Sequence, residues 1–375
     1  MELSFEKFLL VIHTKEGIDG LMKKWRLFSV LTLMALVLSG CGEPYLSTLR
    51  PAGEVAKKQF DMLILSSIVM LFVITVVAII YITVLIRFRR KKGDENKIPK
   101  QVEGSHKLEV IWTVIPVLLV LLLSVPTVWY TFDFGNLSGM ERVNENGEKE
   151  NLVINVRANQ YWWEFEYPDL GIVTSQDLVV PTGEKVYFNL FASDVKHAFW
   201  IPAIGGKMDT NTDNINKFYL EFDPEKSNEA GNIFYGKCAE LCGPSHAYMD
   251  FKVKAISKEE FNEWVSAMQN YEEPELNDVA LRGQQLFQEL NCINCHATTP
   301  ANSTPADARL APNLSDFGNR TTIAGILPMT KEDLKKWIKE PGKVKPGNKM
   351  YAEGSFSEEE LDALAEYLMS LKVGE

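Results

Sequence analysis

Cys238, Cys242, His246 and Met249 stand at Cys-x3-Cys-x3-His-x2-Met spacing. Soft sulfur together with imidazole is the ligand set that copper prefers. Two thiolates this close in one loop can both bridge a pair of metal ions, which is more than a mononuclear site needs. Zinc also takes Cys2His2 sets, but its sites do not recruit methionine and Cys-x3-Cys is an uncommon zinc knuckle. The spacing therefore reads as a dinuclear copper centre for electron transfer. A loop alone rarely completes a metal site, and His197, in Ser193-Asp194-Val195-Lys196-His197, is the candidate for the missing imidazole. Further along, Cys292-Ile293-Asn294-Cys295-His296 is a C-x-x-C-H motif. Two thioether bonds through Cys292 and Cys295 would fix a haem c, and His296 would ligate its iron. A downstream methionine would complete the iron, and Met329 and Met350 are both placed for it.

These centres need elements to hold them. The chain has 375 residues, room for two or three domains. Its net charge of -11 argues against nucleic acid as partner. The five cysteines are Cys41 and the four above, so every one falls in a motif and no pair is left for a structural disulfide. Residues 1–40 read as a signal peptide with an upstream extension: Lys23, Lys24 and Arg26 precede the short apolar stretch 27–38, and Met22 is a candidate start. Leu38-Ser39-Gly40-Cys41 resembles the bacterial lipobox, which implies cleavage before Cys41 and lipid on its sulfur, with 41–61 as an outer segment.

Residues 62–86 and 110–132 carry no charge, and each exceeds the roughly 20 residues that a membrane-spanning helix needs. The loop 87–109 between them is rich in Arg and Lys, Lys97 and Lys100 included, whereas 41–61 has few, which puts the loop in the cytoplasm and both chain ends outside. From 133 to 256 the pattern turns to short strands. Leu152, Ile154 and Val156 alternate with polar residues, and two β-rich runs flank Pro181-Thr182-Gly183. This predicts an all-β Greek-key sandwich or barrel with the copper loop between its last two strands. Residues 257–277 are charged and polar and read as a helical or flexible linker, and 278–375 as an all-α haem domain.

The region 60–255 resembles subunit II of bacterial haem–copper cytochrome c oxidases, and the chain from 41 resembles the caa(3) form with a fused class I cytochrome c. The resemblance implies a cupredoxin-like domain in which Cys238 and Cys242 bridge two coppers and His197 and His246 each cap one. Met249 and the Glu240 carbonyl would be weak axial ligands, and the Glu240 side chain would reach a magnesium site shared with subunit I. It further implies that Glu109, in Leu108-Glu109-Val110-Ile111-Trp112-Thr113, marks the mouth of a proton pathway. Trp337-Ile338 ahead of Lys345-Pro346-Gly347-Asn348-Lys349-Met350 fits the family pattern and favours Met350 over Met329. The segment Arg309 to Leu314 resembles the one whose proline packs near the proximal histidine.

In the family an aromatic run usually reads Gln-Trp-Tyr-Trp, and its first Trp receives electrons from soluble cytochrome c. Here Tyr161 holds that position, followed by Trp162 and Trp163. Oxygen would be reduced, with proton pumping, in subunit I, and no catalytic residue would lie in this chain. Implied partners are subunits I and III, an upstream cytochrome c or quinol–cytochrome c reductase, and membrane lipid. Nitrous oxide reductases carry a similar copper loop, but five histidines and two membrane spans do not suit them. A membrane-anchored haem/copper carrier acting without an oxidase is the alternative.

Overall fold

The computed structural model describes residues 25, 26, 28–36, 43–93, 98, 101–147, 149–301, 304–350 and 356–374. Met22, Lys23, Lys24, Lys97, Lys100 and the lipobox Cys41 lie outside the described residues. The N-terminal unit, up to Glu43, contributes a helical stretch over 28–36 whose Leu31 and Leu33 are exposed.

Two long helices follow, α1 (Glu54–Arg87) and α2 (His106–Phe134), packed against each other and apolar enough to cross a membrane. Almost none of their surface is buried in the isolated chain, which is what a lipid-facing pair requires. Pro116 and Pro126 lie inside α2 without ending it. Just outside the apolar stretch, Lys58 bonds both Glu54 on its own helix and Asp133 at the far end of α2, 2.6 Å away. This ties the two helix ends together beside the next domain.

That domain is a sandwich of two mixed five-stranded sheets among the described residues. Its strands are β1 (Val153–Asn159), β2 (Trp162–Tyr167), β3 (Ile172–Ser175), β4 (Asp177–Pro181) and β5 (Lys185–Ala192). They continue with β6 (His197–Trp200), β7 (Met208–Thr210), β8 (Asn216–Glu221), β9 (Ile233–Cys238) and β10 (Asp250–Ile256). The orders are β3-β2-β1-β5-β8 and β4-β10-β9-β6-β7, with β1 parallel to β5 and β4 parallel to β10. Alternation along the strands sends Ile154, Val156, Trp163, Phe165, Phe188, Phe199, Phe234 and Phe251 into one dry core.

The first part of the stretch 257–277 is helical. Helix α3 (Lys258–Gln269) starts on a capping box between Ser257 and Glu260, and it buries Phe261 and Met268 in the sandwich core. Only 270–277 runs between domains without helix or strand.

The last domain is helical: α4 (Asp278–Glu289), α5 (Lys331–Lys339) and α6 (Glu358–Ser370). Asn277, Thr330 and Ser357 cap their N-termini. α4 and α6 cross where Gly283 meets the Ala363 backbone, with the Phe287 and Tyr367 rings edge to face beside the crossing. Leu286, Leu314, Ile323, Leu334, Leu361 and Leu364 form the core.

Candidate metal centre

The ladder of the second sheet assembles the cluster. β9 ends at Cys238 and β10 begins at Asp250, and the Cys238 amide donates to the Met249 carbonyl, so the loop closes on itself. β6 lies on the other side of β9, with Phe199 opposite Cys238, which brings His197 alongside the loop from 41 residues away. The two sulfurs are 3.8 Å apart, far beyond a disulfide bond. His197 Nδ1 is 3.9 Å from Cys238 Sγ, and His246 Nδ1 is 3.6 Å from Cys242 Sγ. Met249 Sδ lies 3.9 Å from Cys242 Sγ, and the Glu240 carbonyl 3.2 Å from Cys238 Sγ.

The donors thus divide into two halves about the sulfur pair. His197 and the Glu240 carbonyl attend Cys238, while His246 and Met249 attend Cys242. Cys238, Cys242, His197 and Met249 are buried. A buried set of thiolates and imidazole with a thioether beside it suits a soft metal such as copper.

The protonation pattern suits the same purpose. The Cys238 thiol is held down to about 3 by hydrogen bonds from Cys242 and then His197, against burial. Cys242, facing that thiolate and buried, is pushed up. Burial works against a charged His197, yet its hydrogen bonds with Asp194 and Cys238 raise it above the ordinary histidine value. Asp194 holds the far side of the ring, with Oδ1 2.9 Å from His197 Nε2. A carboxylate in that place keeps the proton on Nε2 and leaves Nδ1 facing the cluster. Burial would lift the Asp194 carboxyl, but His197 and the amides of Gln160 and Val195 outweigh it and hold it well below the usual range.

Sequence reasoning missed Asp194, although an acid three residues before the histidine was there to find. It also missed Gln160, whose side-chain amide donates to the Cys242 carbonyl at 2.7 Å. Gly243 has φ +137°, and a β-carbon there would lie 2.4 Å from the Tyr161 hydroxyl, so both conformation and space require glycine.

The aromatic run divides. Trp163 is fully buried, packs edge-on to His197 and Phe199, and donates from its indole to the Met249 carbonyl at 3.3 Å. Tyr161 is also buried, and Trp162 is half-buried beside Arg157. The Glu240 carboxylate turns away from the sulfurs to Lys207, 3.3 Å away. Glu109 sits in the first turn of α2, exposed, 3.6 Å from His106. In the helical domain, His296 Nδ1 lies 2.8 Å from the Pro312 carbonyl. That oxygen can only accept, so Nδ1 carries the proton and Nε2 remains for a metal. Cys292 and Cys295 are in no disulfide. The donor set fits a haem c bound through the motif. The Met350 amide bonds Asn348 Oδ1, whereas Met329 packs against the apolar core. Residues 351–355 lie outside the described residues.

The fold and cluster define a class: a membrane-anchored cupredoxin-like domain with a two-thiolate soft-metal site, joined to a cytochrome c domain. Family models agree segment by segment. "Cytochrome C oxidase subunit II, transmembrane domain" matches residues 51–129, "Cytochrome C oxidase subunit II, periplasmic domain" matches 172–256, and "Cytochrome c" matches 280–372. The cytochrome c oxidase subunit 2 of Bacillus sp. (strain PS3) is 62% identical over 351 residues, covering 93% of this chain and 98% of that one. The Bacillus subtilis (strain 168) protein of the same name is 55% identical over 94% of this chain and 99% of its own. The crystal structure of the periplasmic domain of cytochrome oxidase subunit II from Bradyrhizobium japonicum aligns at 29% identity and TM-score 0.28, over 31% of this chain and 91% of its own. The chain belongs to the cytochrome c oxidase subunit 2 family, in the form that carries its own cytochrome c domain.

Proposed function

We propose that this chain is the electron-accepting arm of a membrane oxidase, taking electrons at its own haem c and delivering them through the copper pair to subunit I. The observation that carries the reading is the split donor set around Cys238 and Cys242, with a cytochrome c domain seated against it. Haem c and a copper pair, when bound, supply the one-electron chemistry, and subunit I reduces oxygen to water. The protein supplies position. Cys238, Cys242, His197, His246, Met249 and the Glu240 carbonyl hold the copper in a rigid β frame that changes little with charge. Cys292, Cys295, His296 and Met350 hold the haem.

The remaining roles follow the same reading. The Glu240 carboxylate, free to turn from Lys207, would join a magnesium ion at the subunit I interface. Glu109 at the cytoplasmic end of α2 would hand protons to subunit I. Lipid on Cys41 would anchor the mature N-terminus on the outer leaflet. Subunit III, and an upstream cytochrome c or quinol–cytochrome c reductase as donor, complete the partners. Tyr161 in place of tryptophan suits a donor on the same chain, tethered at high effective concentration. Tyr161→Trp is therefore expected to alter haem-to-copper transfer or activity with a soluble donor. No change in either would remove this role from Tyr161.

The deciding experiment is optical and EPR spectroscopy of the purified holoenzyme. A multiline copper hyperfine pattern and a low-spin haem c band are expected together. Cys242→Ser should abolish the copper signal and leave the haem band. A single-copper spectrum in the wild-type protein would refute the dinuclear reading.

A further inference from the structure

Lys345 is a lysine where none is expected. It is 2% exposed, deep between the copper and haem domains. Its Nζ lies 2.7 Å from the Tyr161 carbonyl, on the copper domain, and 2.7 Å from the Ala324 carbonyl, on the haem domain. Both acceptors are main-chain atoms, so the side chain joins two backbones rather than two mobile side chains. An ammonium has three N–H donors and a neutral amine two, so either form satisfies both carbonyls.

What Lys345 holds together matters. Tyr161 lies under the copper loop, its hydroxyl against Gly243. On its other side runs the Lys345-Pro346-Gly347 turn that leads into Met350. A β-carbon on Gly347 would lie 3.3 Å from the Tyr161 hydroxyl and 3.5 Å from Pro244. Ser245, the neighbour of His246, donates its hydroxyl to the Pro346 carbonyl at 2.6 Å. The same turn is internally braced by Asn348, whose amide bonds the Pro341 and Lys345 carbonyls. Lys349 reaches Asp194 at 3.2 Å, but its side chain is 66% exposed and contributes little. The buried contact is the one with the strength to fix a register.

We infer that Lys345 is a positioning residue for electron transfer within the chain: it clamps the methionine-bearing turn of the haem domain onto Tyr161 and the copper loop. This rests on the relay proposed above. Because electron transfer weakens as the two centres move apart, the clamp acts through distance and packing, not through either centre's own properties.

The test is Lys345→Met in the full-length holoenzyme, since methionine fills the space without donating. Haem-to-copper transfer, followed after flash reduction of the haem, should slow severalfold. The copper EPR spectrum and haem c potential should stay at wild-type values, which separates positioning from damage to either site. Amide exchange of residues 345–350 should speed up in the variant, a readout independent of turnover. Ser245→Ala, which removes the partner contact from the copper side, should slow transfer in the same sense. Wild-type transfer rates in Lys345→Met, or slowing matched by a shifted haem potential, would overturn the clamp. Absence of haem-to-copper transfer in the wild-type protein would instead overturn the relay on which it rests.

Discussion

At the scale of single residues, the clustering of soft donors was legible because Cys238, Cys242, His246 and Met249 share one loop, where spacing is geometry. Asp194 was not read, and it is the residue that sets His197. Asp194→Asn keeps the shape but removes the charge that holds the Nε2 proton. Copper affinity should fall about tenfold to a hundredfold, measured by chelator competition, with the haem band intact. Lys345 was illegible for another reason: lysine is ordinarily a surface residue, and its two acceptors lie far off in sequence. Burial pushes it down to about 7 from an ordinary 10.5, with the charges of Asp250 and Cys242 opposing. The sign follows from proton binding. Between those two values the unfolded chain takes up a proton that the folded chain does not, so this group's contribution grows with rising pH. It is complete above 10.5 and gone below about 7. Thermal melts of wild type and Lys345→Met should therefore diverge in favour of wild type as pH rises from about 7 to 10. A constant difference across that window would show that Lys345 is ionised in the folded protein.

At the scale of elements, the strands were visible as alternation, whereas their order was not. Pairing β1 with β5 and β4 with β10 in parallel depends on contacts that no local pattern encodes. The first half of 257–277 was readable but obscured by its charges. Phe261, Trp264, Val265 and Met268 fall at i, i+3, i+4 and i+7, the stripe of an amphipathic helix that docks on a core. The crossing of α4 and α6 yields a prediction in which two effects compete. In a free helix, Gly283→Ala would gain about 1 kcal/mol in propensity. At this crossing the new β-carbon would lie 2.0 Å from the Ala363 carbonyl oxygen and 2.6 Å from its carbon, and backbone cannot step aside. The clash should win, with a net loss of roughly 1–3 kcal/mol. Denaturant unfolding followed at the haem band checks it, and an unchanged or raised midpoint would mean that α4 and α6 are not packed this closely.

At the scale of the whole molecule, the question is whether the haem domain is a swinging tether or a docked unit. The sequence left 257–277 as a helical or flexible linker, and the structure joins the domains along β2, β3 and the copper loop. Arg309 of the haem domain bonds Glu164 at 3.1 Å and Glu166 at 2.7 Å, while Arg157 of the copper domain bonds Glu164 and the Arg309 carbonyl. Arg157, Glu164 and Arg309 are buried. Burial lifts the Glu164 carboxyl above its ordinary value even between two guanidinium groups, which marks how dry the junction is. Around it the Asn313 amide bonds Ser175, the Val173 amide bonds the Pro300 carbonyl, and Lys254 bonds the Asn319 carbonyl. Buried ionic groups add little net energy when complete but cost several kcal/mol when broken, so they fix one arrangement against others. Arg309→Met leaves Glu164 with Arg157 alone and should weaken docking by about 3 kcal/mol. Glu272 and Glu275 in the connecting stretch give a protease selective for glutamate its cut sites, and both are exposed. After cleavage there, the wild-type haem domain should stay with the membrane-anchored part through purification, whereas that of Arg309→Met should separate. Retention of both would locate the docking energy elsewhere, in the turn held by Lys345, and release of both would mean that the peptide alone keeps the haem domain beside the copper.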